Sequence, residues 1–159
     1  MNSVVIYGSR HGNTQEVAEA IARELRHHGP AQLFSVDKAP LVLPKETDLV
    51  VVGGPTEAHR MTEPIAKFLD QFGRGQLKGI AAAGFDTRLR WPRWLSGSAG
   101  AGITARLRGA GATVIDQGAS FVVAGKYPVL EAGELERAAT WAASLAAKVD
   151  SRVPADAIR

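Results

Sequence analysis

Residues 4–22 read VVIYGSRHGNTQEVAEAIA. A β-branched run breaks into a short Gly/Ser/Asn/Thr loop, and the loop opens directly into apolar residues at helical spacing. A strand that hands over to a helix in this way needs the helix to cross back over the sheet, so its neighbours are parallel strands. The rest of the chain repeats the alternation. Strands are predicted at 3–7, 31–36, 48–53 and 79–85, with a last strand region over 113–116 and 120–123 interrupted near Gly118. Helices are predicted at 13–28, 63–72, 98–108 and 134–149. Asn13, with Glu16 three residues on, is placed as the cap of the first helix, Gly29-Pro30 as its stop, and Ser98 as the cap of the third. Five strands with helices between them specify a doubly wound three-layer α/β sandwich, its five-stranded parallel sheet in the order 2-1-3-4-5. A single domain over 1–149 and a loose tail over 150–159 complete the expectation.

The 159 residues are 45% apolar and 22% charged, enough for one sizeable buried core and far from the balance of a disordered chain. The absence of cysteine removes disulfides, thiolate nucleophiles and Cys-ligated zinc or iron–sulfur sites together. Four scattered histidines form no metal-binding spacing, and a net charge of +3 is mild for a nucleic-acid binder. No apolar run is long enough to span a bilayer and no secretory pattern opens the sequence, so a cytoplasmic location is expected.

In doubly wound sheets ligands bind outside the carboxyl ends of the strands, which selects the loops 8–13, 54–62 and 86–97. The first, GSRHGNT, precedes a helix N-terminus, where orphan N–H groups and the helix dipole favour an anion. Ser9 and Thr14 add hydroxyl donors, Asn13 adds an amide, and Gly8 and Gly12 let the backbone curl close to a ligand. Chemically this is a phosphate cradle. A polar turn that only caps the helix accounts for Asn13 but leaves the clustered donors and glycines without a use. A Walker A loop is excluded because Gly12 is followed by Asn13 rather than Lys, and a dinucleotide fingerprint because Ser9-Arg10-His11 breaks its glycine spacing. The small-residue run 97–102 reads as close helix–sheet packing, and Asp37 as a turn residue.

The stretch YGSRHGNTQEVA resembles the FMN-phosphate loop of flavodoxins, usually Ser/Thr-x-Thr-Gly-x-Thr after the first strand. Ser9, Gly12, Asn13 and Thr14 match, while His11 stands where the family usually has threonine. The resemblance spans about residues 2 to 149 and is to the short-chain class: DLVVVGGPT falls at the first flavin-flanking loop and FDTRLRWP at the second. It implies that FMN is held at its phosphate by Ser9, Arg10, His11, Gly12, Asn13 and Thr14. It implies further that the ring lies between Pro55, Thr56, Glu57, Ala58 and His59 on one side and Phe85, Asp86, Thr87 and Trp91 on the other. Trp94 is the second choice after Trp91 for covering the outer flavin face. No catalytic residue or metal ligand is assigned, since the cofactor carries the redox chemistry.

The implied function is that of an FMN-binding electron carrier. Two alternatives stay open: an FMN-dependent reductase or oxidase of the same fold acting on a quinone or a tetrapyrrole precursor, and a flavin-free interaction module. The second ring loop departs from the acidic loop of flavodoxins, carrying Arg88, Arg90 and Arg93, which join Arg10 and Arg60 in a ring of positive charge around the mouth. Such a ring favours the anionic reduced flavin, and steers acidic redox partners or small anionic or quinone acceptors towards it.

Overall fold

The computed structural model describes residues 1–152. Its centre is a parallel sheet of β1 (Ser3–Tyr7), β2 (Ala31–Ser35), β3 (Leu49–Glu57), β5 (Ala81–Leu89) and β7 (Ala119–Ala124), ordered β2-β1-β3-β5-β7. Three short strands complete it. β4 (Arg60–Met61) folds back antiparallel on β3, β6 (Thr113–Val114) pairs with the start of β5, and β8 (Val129–Leu130) folds back on β7. The expected 2-1-3-4-5 order therefore holds for the parallel positions. The fifth is shared by β6 and β7, with the break at Gly118, whose φ is 105°.

The helices α1 (Asn13–Leu25) and α5 (Glu134–Asp150) cover one face of the sheet, and α2 (Glu63–Asp70) and α4 (Ala99–Gly109) the other. A four-residue helix, α3 (Arg93–Ser96), lies in the connection after β5. Strand side chains alternate between the two cores as the pleat requires: Val5, Val51 and Ala83 pack under α1 and α5, and Val4, Ile6, Val50, Val52 and Ala82 under α2 and α4. A strand buried on both faces must be apolar at every position, which is why 49–52 reads LVVV.

Element ends differ most from the sequence expectation in three places. The first helix ends at Leu25, and Arg26–His28 form one 3₁₀ turn before Gly29. β3 and β5 run four residues beyond their expected ends, because each is paired along that extension: β3 with β4, and β5 with β7 through Leu89↔Val123. Ser98 caps α4 as expected, its hydroxyl accepting from the Ala101 N–H at 3.3 Å. The expected tail begins inside α5, which reaches Asp150; beyond Arg152 it lies outside the described residues. Among the described residues no helix is long and apolar enough to cross a membrane.

Candidate functional site

The carboxyl ends of β1, β3, β5 and β7 converge on a cavity of about 220 Å³. Ser9, Arg10, His11, Asn13 and Thr14 line it from the first loop, Pro55, Thr56 and Glu57 from β3, and Thr87, Arg88 and Leu89 from β5. A second cavity of about 240 Å³ adjoins it, sharing Thr56, Arg88 and Leu89 and continuing past Ala58, His59, Trp91 and Leu95. The three loops selected from the sequence thus meet at one place.

At the floor, the amino end of α1 carries no side-chain cap. Its N-cap residue is Gly12, at φ 90° in the left-handed region, and a Cβ there would meet nothing within 4 Å. Conformation rather than space selects glycine. The cap expected at Asn13 is therefore not made. Asn13 is the first helical residue, and its Nδ2 donates to the Pro128 carbonyl at 2.8 Å, tying the loop to the β7–β8 hairpin. The first intrahelical bond runs from the Glu16 N–H to Gly12 O at 3.0 Å, so the amides of residues 13–15 precede the ladder and point out of the helix end. Ser9 Oγ accepts from the Gly12 N–H at 3.1 Å and keeps its own O–H for a ligand.

Thr14 and Thr87, both buried, share a hydrogen bond of 2.8 Å between their hydroxyls. Two hydroxyls carry two protons and only one lies between the oxygens, so the pair offers one remaining O–H to the cavity both residues line. Thr56 turns the other way and accepts from the Ala99 N–H at 2.9 Å, fixing β3 to the start of α4.

The expected flanking loop after β3 is a tight hairpin. Glu57 pairs with Arg60 across a two-residue turn in which Ala58 (φ 44°) and His59 (φ 70°) both occupy the left-handed region. Two-residue hairpin turns need that backbone and glycine meets it at least cost, so two L-residues here store on the order of 1–2 kcal/mol each. His59 is held there by a bridge to Gly97.

Two of the expected ring neighbours stand behind the site instead. Phe85 is fully buried in the core under α1 and α5, in edge-to-face contact with Phe121 and Trp141 at centroid distances of 6.1 and 6.3 Å. Asp86, also fully buried, directs Oδ2 at α4, accepting from Ser98 Oγ at 2.7 Å and the Gly100 N–H at 2.9 Å. The reason is that β5 continues through both residues, so the pleat sends their side chains into the two layers. Trp91 does line the second cavity, while Trp94 is 85% exposed and lines neither.

The positive ring is largely compensated. Arg10 Nε lies 3.0 Å from Glu57 Oε1, bridging the first and second loops across the mouth. Arg88 lies 4.0 Å from Asp86 Oδ1 and donates to the Trp91 carbonyl at 2.7 Å, and Arg90 is bound by both oxygens of Glu131. Arg60 is exposed at the hairpin, and the side chain of Arg93 lies outside the described residues. Glu131 holds Arg90 through a charged hydrogen bond, which keeps the Glu131 carboxyl below the usual range.

The sequence reading missed Val123 and Pro128, which close the cavity from the β7–β8 hairpin. The signal was present: GKYP after the last strand is a turn at a carboxyl strand end, the position that selected the other three loops.

Comparison with known proteins follows the same lines. A curated relative, an NAD(P)H dehydrogenase (quinone) of Cupriavidus metallidurans, is 34% identical over 107 residues, 52% of this chain and 54% of the relative. The chain thus spans about half the length of that relative. Among solved structures, a flavodoxin from the domain Archaea superposes with a TM-score of 0.71 at 24% identity, covering 94% of this chain and 99% of the other. Oxidised flavodoxin 1 from Bacillus cereus gives 0.76 at 21% identity, covering 96% and 99%. At these identities the structural likeness is one of fold. The family model described as "Flavodoxin domain" matches residues 4–90, more than half of the sequence, and the chain belongs to that family.

Proposed function

We propose that the chain binds FMN and serves as an electron-transfer protein. The observation that carries this reading is the uncapped amino end of α1, opening on a cavity whose near wall is Ser9, Asn13 and Thr14. A dianionic phosphate suits that end: the orphan amides of residues 13–15, the free protons of Ser9 and of the Thr14–Thr87 pair, and the helix dipole all favour negative charge. Arg10 and His11, exposed at the rim, add cationic or donor groups. The ring would lie against Pro55, Thr56, Glu57, Ala58 and His59 on one side and Thr87 and Trp91 on the other. When bound, FMN supplies the redox chemistry, accepting and releasing one or two electrons. The chain binds the phosphate, holds the ring edge at an open mouth, and through the stiff Ala58-His59 turn limits how far the flanking backbone can follow a change in the cofactor. A redox partner protein or a small acceptor then meets that mouth.

A second reading is favoured by the adjoining cavity lined by His59, Leu89, Trp91 and Leu95. It offers space for an apolar acceptor such as a quinone beside the ring, and the quinone-dehydrogenase name of the 34% identical relative agrees with it. Faster quinone turnover than free FMN gives would favour this reading over the carrier.

Titration of the flavin-free protein with FMN and with riboflavin tests the cofactor assignment. FMN is expected to bind tightly and riboflavin far more weakly. The Ser9→Ala variant should cost FMN alone roughly tenfold or more, as a hydrogen bond to a charged group is worth about 1.5–3 kcal/mol. Equal affinity for the two flavins, or for neither, removes the phosphate cradle.

A further inference from the structure

Among the described residues the strongly exposed aromatic side chains, Trp91, Trp94 and Tyr127, all lie at the carboxyl end of the sheet. They sit on two neighbouring tips. One is the turn after β5 with α3, where Leu89, Trp91, Trp94 and Leu95 are 41–85% exposed. The other is the β7–β8 hairpin, where Tyr127 is 83% and Val129 63% exposed. β5 and β7 are adjacent strands paired Leu89↔Val123, and the Arg90–Glu131 ion pair ties the bases of the two tips together. Leu89 and Pro128 also share the first cavity, so both tips rim its mouth.

Large apolar side chains held in water cost free energy, and a cluster of them on a folded surface marks something they contact. Charge identifies the contact. Residues 87–98 carry three arginines and no acid, and residues 119–130 carry Lys126 and no acid; Glu131 follows at the base. Arg90 is paired with Glu131 and Arg88 lies beside Asp86, so the net positive charge of the two tips rests on Arg93 and Lys126, and the surface is cationic as well as aromatic. Leu89, Trp91 and Leu95 line the adjoining cavity, whereas Trp94, Tyr127 and Val129 line neither cavity and stand in solvent, Trp94 and Tyr127 the most exposed. Trp and Tyr rings are amphipathic and favour the headgroup level of a bilayer, and flanking Lys and Arg add attraction to anionic lipid. We propose that these two tips form a docking surface for an anionic lipid bilayer, onto which the protein settles with its cavity mouth facing the membrane. The proposal does not depend on the cofactor.

The test is partitioning of the full chain, with and without FMN, onto phosphatidylcholine vesicles containing or lacking phosphatidylglycerol, read by co-sedimentation and tryptophan emission. The expected result is binding to the anionic vesicles with a blue-shifted emission, weakening by roughly fivefold for each surface cation screened or removed. The variant Trp94→Gln/Tyr127→Gln should lose about tenfold or more. It retains Trp91 as the reporter and should keep the parent's circular dichroism, because both replaced side chains are in solvent. Lys126→Glu gives an independent check, reducing binding to anionic vesicles alone. Absence of binding to the anionic vesicles at low salt overturns the proposal, as does binding that the double variant leaves unchanged. Capture by an acidic protein without any vesicle binding also overturns it, and gives the surface to a protein partner. A protein that binds vesicles but no flavin refutes the FMN reading and leaves this one standing.

Discussion

Replacing Thr14 and Thr87 by valine, singly and together, separates what their shared hydrogen bond does from what burial does. The two hydroxyl oxygens are 2.8 Å apart, and the residues are 2% and 4% exposed. Valine keeps the shape and removes the polar atom. A single replacement leaves the other hydroxyl buried with its partner gone, which costs about 1–3 kcal/mol. The double replacement leaves two apolar side chains of the same outline, and such exchanges are close to neutral. Each single variant is therefore expected to lose about 1.5 kcal/mol, and the double variant less than either, a coupling of about 2–3 kcal/mol between neighbours in contact. In a chain of this size each single variant should melt about 3–6 °C lower. Urea unfolding by circular dichroism measures all four corners of the cycle, and an unchanged denaturant slope shows that stability alone has moved. If the double variant falls by the sum of the singles, the two hydroxyls do not depend on one another, and the account of their shared hydrogen bond fails.

Gly53→Ala tests the close packing behind the site: a Cβ there would stand 2.1 Å from Phe85 Cζ, inside a ring enclosed by Phe121 and Trp141. The expected loss is about 3 kcal/mol, partly restored by adding Phe85→Leu; a variant within about 0.5 kcal/mol of the parent refutes the packing argument. Glu134 tests acid stability. Its carboxyl is held below the usual value of 4.5 first by the Arg137 guanidinium and then, against the opposing effect of burial, by the Val122 N–H. A carboxyl lowered in the folded state adds stability that is complete above 4.5 and is lost as the pH falls through the lowered value. Glu134→Gln should therefore reduce stability at neutral pH by about 1–2 kcal/mol and flatten the fall below pH 4.5; an acid limb of unchanged steepness contradicts this.

The strand order followed from the general winding of such sheets, and the layers were legible because they rest on local periodicity: doubly buried strands such as LVVV and amphipathic helices such as 134–149 announce themselves. The first loop was legible for the same reason, since a glycine and hydroxyl cluster between strand and helix has a local chemistry. What escaped was whatever depends on pairing between distant segments. β5 continues to Leu89 because β7 lies beside it, and that continuation buries Phe85 and Asp86 on opposite faces rather than presenting them in a loop. The turn at Ala58-His59 carries no glycine to mark it; it is imposed by β4 returning onto β3 and by the contact of His59 with Gly97. The arginines read as a free positive ring because their partners, Glu57 and Glu131, come from other segments. By itself the sequence determined which segments are strands and helices and where an anion is welcome, since each follows from a few adjacent residues. Which side chains face the cavity and which charges remain uncompensated was decided only by tertiary structure, because both depend on which distant strand lies alongside.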